Sequence, residues 1–262
     1  MEQIRIKWEQ FTKVPTEEKT YKCPKCKDTG FYGDYEKIYE DAAGNPMLFY
    51  RYAKRCDCVE KMVAKGRLER SGIPDDTEEM NFGTFNTRQL PVLRSAKDSA
   101  MKYADAFELI ENDRNNSIIF CGQPGAGKTH LGISICHDLI NRLGVNVIYM
   151  PYRNAVSTMK KNLMNDKDDY ANDLLMYAKA RLLFIDDLLK GKITESDVNI
   201  MYEIINYRYM HRLPMIISTE KLPADLVKWD DAIGSRIIEM CKGNIIELEG
   251  EKLNYRLSGL YE

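Results

Sequence analysis

Residues 120–130 read FCGQPGAGKTH, and Gly122 to Thr129 within them have the spacing G-x-x-x-x-G-K-T. This is the P-loop pattern. Gly122, Gly125 and Gly127, with Pro124 and Ala126 between them, permit a tight bend in which successive backbone N–H groups cradle phosphate oxygens. Lys128 reaches the β- and γ-phosphates, Thr129 offers its hydroxyl to Mg²⁺, and His130 follows in the same cradle. The flanks suit the motif. SIIFC (117–121) is an apolar strand, and LGISICHDLINRL (131–143) has helical spacing. ATP with Mg²⁺ is the expected ligand, held in part by the helix N-terminus.

The same alternation continues outward. VLRSAKDSAMKYADAFELI (92–110) is an amphipathic helix, and VNVIYM, LLFID, PMIIST and NIIEL are short apolar strands. Between them lie a long helical region reaching about Lys179, then SDVNIMYEIINYRYMH and DDAIGSRIIEMC. Buried runs alternating with helices specify an α/β fold: a parallel five-stranded sheet between helices. LLFIDD (182–187) ends one such strand with two acids. Asp186 suits support of the metal, and Asp187 suits orienting or deprotonating the attacking water. The plainer alternative is that one Asp caps the following turn.

The N-terminal part has a different logic. Cys23 and Cys26 form C-P-K-C, and Cys56 and Cys58 form C-D-C. Between them FYGDYEKIYE and MLFYRYAKRC flank the turn-rich DAAGNP and read as a β-hairpin. The hairpin would bring both pairs to its base. All three histidines, His130, His137 and His211, lie in the nucleotide-binding part, which leaves a Cys₄ set for Zn²⁺. The alternative is two unrelated pairs of surface thiols. Four cysteine ligands leave no open coordination position, so the metal is structural and the module's job is binding. Cys121, Cys136 and Cys241 fall in apolar elements and read as packing residues. VEKMVAKGRLERSG is helical and ends at Gly72. The expected domains are a zinc-binding module over 1–72, a linker over 73–90, and an ATPase domain over 91–262.

Composition bounds the partners. Hydrophobic residues make up 44% of the 262, enough for a real core, and the net charge of −2 gives no global basic field. Any grip on nucleic acid must therefore come from a local patch. MEQIRIKWEQ carries no apolar signal region, and no apolar run approaches a membrane span. With seven cysteines, this points to a reducing cytoplasm and no membrane partner.

GQPGAGKTH, LLFIDD and AIGSRIIEMC together resemble the AAA+ ATPases of the DnaC/DnaI helicase-loader group, which is itself similar to the IstB transposition ATPases. The likeness covers roughly residues 80–262, with a zinc module ahead of it as in some loaders. It implies a loader that places a replicative DnaB-type hexameric helicase on single-stranded DNA, with the N-terminal module docking on the helicase. An IstB-type transposition helper is the alternative. The resemblance makes Arg236 of GSRI an arginine finger reaching a neighbouring copy's ATP, hence self-association, and makes Arg256 of NYRL the second sensor. A surface salt bridge is the bland alternative for Arg236. Two positions depart from the family: Asp187 stands where Glu is usual, and Glu220 of IISTEK stands at the first-sensor position where Asn is usual, a catalytic candidate whose carboxylate can still orient water but adds repulsion. Slow hydrolysis follows from both. The resemblance also implies a DNA contact in PYRNAVSTMKKNLMNDKDDY (151–170), with Arg153, Lys160 and Lys161 on phosphates and Tyr152 on a base. An ordinary solvated helix is the other reading there. Lys54, Arg55, Lys65, Arg67 and Arg70 form a second basic group, either solvated surface or partner contact.

Overall fold

The structure is a computed structural model that describes residues 20–33, 38–40, 46–48 and 53–260. Residues 1–19 of the expected zinc module and most of the DAAGNP turn lie outside the described residues. The chain divides into two compact units, Met1–Val63 and Ala64–Glu262.

In the first unit β1 (Phe31–Gly33) pairs antiparallel with β4 (Ala53–Arg55), Phe31 opposite Arg55. β2 (Ile38–Glu40) pairs antiparallel with β3 (Pro46–Leu48), Ile38 opposite Leu48. Both pairings keep one register, that of a single hairpin. The Cys56 N–H donates to Gly30 O (2.9 Å), closing the hairpin base against the turn that carries Cys23 and Cys26. α1 (Asp57–Ser71) starts directly after Cys56. Among the described residues of this unit, the buried side chains are those of Cys26 and Cys56.

The second unit runs α2 (Pro91–Ile110), β5 (Ile118–Gly122), α3 (Lys128–Leu143), β6 (Val147–Pro151), α4 (Tyr152–Asn165), α5 (Lys167–Lys179), β7 (Leu182–Leu188), α6 (Glu195–His211), β8 (Met215–Thr219), α7 (Pro223–Trp229), α8 (Asp231–Met240) and β9 (Ile245–Leu248). The five strands form one parallel sheet in the order β6-β7-β8-β5-β9. Alternate residues of each strand enter opposite cores, as a two-period pleat requires. Ile118 and Phe120 of β5 join the core under α2 and α3, whereas Ile119 and Cys121 join the one under α4, α6 and α8. Cys136 and Cys241 are buried in these cores as well.

Two expectations are revised. The helical region after β6 is two helices, because Asp166 turns the chain and its side chain accepts the N–H groups of Asp168 and Asp169 (3.0 and 3.1 Å). Residues 73–90, expected as a linker, are held by the core: Ile73 and Phe85 are each only 6% exposed and pack among its apolar side chains. Scattered apolar residues without periodicity hid this. Among the described residues no helix is long and apolar enough to cross a membrane.

Arg208 of α6 is fully buried and donates to the carbonyls of Tyr177, Ala178, Ala180 and Pro214 at 2.6–3.2 Å. It thereby fixes the entries to β7 and β8. Burial lowers its pKa to about 9. Four acceptors without a donor are costly in a dry interior. Arg208→Ala is expected to destabilise the chain by about 3–5 kcal/mol. Urea denaturation measures this, and an unchanged midpoint would show the carbonyls to be satisfied otherwise.

Candidate nucleotide site

The carboxyl ends of β5, β7 and β8 converge on a cavity of about 360 Å³. Pro124, Gly125, Ala126, Gly127, Lys128, Thr129 and His130 line it, and so do Asp187, Glu220 and Arg256. Nearly all the nucleotide residues expected from the sequence are thus brought together. The glycines are needed where the loop is tightest. Gly127 has φ +87°, and a Cβ there would lie 2.6 Å from the Phe85 ring. At Gly125, with φ +73°, a Cβ would strike the Asn254 side chain. Lys128 Nζ donates to the carbonyls of Gly122 and Gln123 (both 2.8 Å). Burial lowers its pKa, while the charges of Glu220 and Asp187 work in the opposite direction.

Asp186 is the junction of the site. It accepts from Thr129 Oγ1 (2.8 Å) on α3, Tyr149 OH (2.8 Å) on β6 and Ser218 Oγ (2.5 Å) on β8. Burial and the Asp186 charge raise the Tyr149 pKa, which keeps that phenol a donor. The Ser218 hydroxyl in turn accepts the Asp187 N–H (2.8 Å). The β7–β8 pairing slips between Ile185 and Leu188, and Asp187 has φ +56°. This irregularity sends Asp186 toward Thr129 while Asp187 faces the cavity. Lys190 Nζ then lies 2.7 Å from Asp187 Oδ2 and 3.5 Å from Glu220 Oε1.

The sequence reading missed one wall of this cavity. Met80, Phe85, Asn86 and Arg88 of residues 73–90 line it, with Leu93 and Tyr255. His130 Nε2 lies 3.0 Å from Asn81 O, and its ring meets Phe85 edge-on. Arg88 donates to the carbonyls of Lys252 and Leu253 (2.7 and 2.5 Å), tying this wall to the segment that carries Arg256. Lys190 and Ser218 were also missed, although each lies near an acid that was singled out. Only the bulge and the strand pairing give them partners.

Arg236 does not line the cavity. Its Nη1 donates to Ala232 O (2.6 Å), and its guanidinium rests over the rings of Tyr202 (5.5 Å) and Tyr209 (5.4 Å). The helix α4 corrects the proposed DNA contacts. Tyr152 is 4% exposed and packs in the core, so its ring presents no face to a base. Lys160 is paired with Asp197 and donates to Thr194 Oγ1 (2.8 Å). Arg153 and Lys161 are exposed.

In the first unit the four sulfurs of Cys23, Cys26, Cys56 and Cys58 lie within 4.8 Å of one another. Cys23 and Cys56 are 3.7 Å apart and Cys26 and Cys58 3.3 Å, with all four thiols free of disulfides. Tetrahedral coordination with metal–sulfur bonds of about 2.3 Å places sulfurs about 3.8 Å apart. The donor set therefore fits one metal ion. The backbone N–H of Cys26 brings the Cys23 pKa down to about 7, whereas the thiol neighbours, Cys26 first, push that of Cys58 up.

A P-loop strand separated from the acid-bearing strand by β8, with helices on both faces, defines a P-loop nucleotide-binding protein. The family model for IstB-like ATP binding proteins matches residues 84–246, and the chain belongs to that family. It is 33% identical over 248 residues to the phage-like element PBSX protein XkdC of Bacillus subtilis (strain 168), across 92% of this chain and 88% of that protein. It is 27% identical over 183 residues to the replicative helicase loader DnaC of Escherichia coli (strain K12), across 68% of this chain and 69% of the relative. The crystal structure of the DnaC helicase loader superposes with a TM-score of 0.59 at 20% identity, over 67% of this chain and all of that one.

Ser218 is completely buried. Ser218→Ala leaves the Asp187 N–H without its acceptor and Asp186 with two of its three donors, a loss of about 1–3 kcal/mol. A drop of that size in the urea unfolding energy is expected. No drop would mean that the bulge holds without the hydroxyl.

Proposed function

We propose that the chain is an ATP-dependent loader of a hexameric replicative helicase onto single-stranded DNA. The observation that carries this reading is a nucleotide site with every P-loop and acidic part in place, in a chain related over two-thirds of its length to a replicative helicase loader. Lys128 binds the β- and γ-phosphates. Thr129 and Asp186 are the residues that would hold Mg²⁺, which supplies neutralisation of phosphate charge when bound. Asp187 orients and deprotonates the attacking water, and its shorter side chain makes turnover slow. Arg256 lies on the cavity and contacts the phosphates of its own nucleotide. Arg236, outside its own cavity, acts on the nucleotide of a neighbouring copy.

The four cysteines bind Zn²⁺ as a structural ion. Supporting this, several thiolates packed together repel, and a divalent cation removes that repulsion. Among the described residues of the small unit the buried side chains are those of two cysteines, where a larger unit would have a core. With no chemistry available to it, this module docks on the helicase, and the ATPase unit contacts single-stranded DNA through Arg153 and Lys161. The second reading, an IstB-type transposition helper, is favoured by the family model itself. It shares the nucleotide chemistry and differs in partner.

Freshly reduced full-length protein should contain about one zinc per chain. Cys23→Ser or Cys56→Ser should lose the metal and most of the helicase binding while keeping ATP binding. Metal analysis that finds no zinc in the wild type would remove this assignment.

The test of the whole reading is capture on full-length chain from native extract, with and without ATP. A hexameric helicase in the eluate supports the loader, and a transposase instead supports the alternative. In parallel, Asp187→Asn should bind ATP at least as tightly as wild type and lose on the order of 10²-fold in turnover. Normal turnover would strip Asp187 of its role.

A further inference from the structure

Glu220 poses an electrostatic problem. A carboxylate on the phosphate side of a nucleotide cavity repels the ligand, and Asp187 adds a second one. Both line the same cavity as Lys128, the residue that binds the β- and γ-phosphates in the reading above. Lys190 stands between them, 2.7 Å from Asp187 Oδ2 and 3.5 Å from Glu220 Oε1. Its own place is fixed by the chain. The Lys190 N–H donates to Asp187 O (3.1 Å), closing a turn in which Asp187 and Leu189 both have left-handed backbone, φ +56° and +64°. The turn folds the lysine back over the acid three residues earlier. The side-chain bond to Asp187 and the charges of both acids raise the Lys190 pKa, so the ammonium stays charged.

We propose that Lys190 is a positioning residue of the nucleotide site, which bridges Asp187 and Glu220 so that the two carboxylates together present one negative charge, not two, to the terminal phosphate. This deepens the ATPase reading above and rests on it. The bridge has two consequences. It makes Glu220 compatible with a bound triphosphate, because its charge is spent on Lys190. It also holds Asp187 by one oxygen, Oδ2, which leaves the other to face the water. A lysine serves here where a neutral residue cannot, since like charges at one site disfavour an anionic ligand strongly. The effect should grow with ligand charge at the far end: large for ATP and small for ADP.

The test uses full-length protein with Mg²⁺ and fluorescent ATP and ADP analogues, followed by steady-state turnover. Lys190→Met is expected to weaken ATP binding about tenfold, with little change for ADP. It should also lower kcat, since Asp187 loses its tether. Lys190→Arg should restore most of both. Lys190→Met combined with Glu220→Gln should recover ATP affinity, because the unneutralised carboxylate has gone, but not kcat. Thermal melting checks that each variant is folded, and a wild-type-like Lys190→Arg keeps the comparison decisive. Wild-type ATP affinity and turnover in Lys190→Met would overturn the proposal. So would a double variant that binds ATP no better than Lys190→Met. Absence of ATP binding by the wild type would instead overturn the ATPase reading, and this proposal with it.

Discussion

One carboxylate ties the nucleotide site to the sheet. Asp186 accepts hydroxyl hydrogens from Thr129, Tyr149 and Ser218, which belong to three different elements. A buried carboxylate is tolerated only when its lone pairs are satisfied, so the three donors and the acid fix one another. The P-loop helix, β6 and β8 are thereby set relative to β7. Because Ser218 also receives the Asp187 N–H, the same junction fixes where the second acid points. Arg208 acts at the opposite ends of these strands, where its guanidinium gathers the carbonyls that precede β7 and β8. The sheet is held at both ends by buried polar groups, and its middle by alternating apolar side chains.

The part of this that was legible in the sequence is the part carried by local pattern. The P-loop, the acid-ended strand and the alternation of apolar strands with helices need only neighbours in sequence, and they specify an α/β fold with a parallel five-stranded sheet. Two kinds of feature were not legible. Irregular segments without periodicity, such as 73–90, gave no sign that Phe85 would close against Gly127. Pairings across the sheet, such as Ser218 with Asp186, depend on a strand order that no single strand encodes. The bulge at Asp187 belongs to the second kind. An acid-acid pair at the end of a strand does not reveal which carboxylate the backbone turns inward. The error at Tyr152 has a related cause, since the residue opens a helix whose buried face is set by packing against β6 and β7.

The cavity is a balance of charges more than a shape. Lys128, Lys190 and Arg256 surround or line it, opposed by Asp187 and Glu220. The Lys190 and Glu220 side chains are 42% and 36% exposed, so solvent screens their attraction and the pair adds little to folding. Its weight falls on the ligand instead, because an arriving phosphate displaces the screening water and feels the remaining charge directly. Residues of small consequence for stability can therefore decide affinity at such a site.

The resting place of Arg236 bears on its proposed action in a neighbouring copy. Its guanidinium is held by one carbonyl of its own helix at 2.6 Å and by two tyrosine rings at 5.5 and 5.4 Å. A partly exposed cation–π contact contributes about 0.5–1 kcal/mol, and a hydrogen bond from a charged donor to a carbonyl about 1.5–3 kcal/mol. Release of the arginine toward a triphosphate would cost only these few contacts, and a charge-assisted bond to phosphate is stronger than any of them. Glu239, three residues further along, accepts from Tyr209 OH at 2.8 Å and pairs with Arg114 at 3.6 Å. With that acid engaged elsewhere, Arg236 has no ion pair among the described residues to break on leaving, so the proposed movement avoids the penalty that separating a buried ion pair would impose.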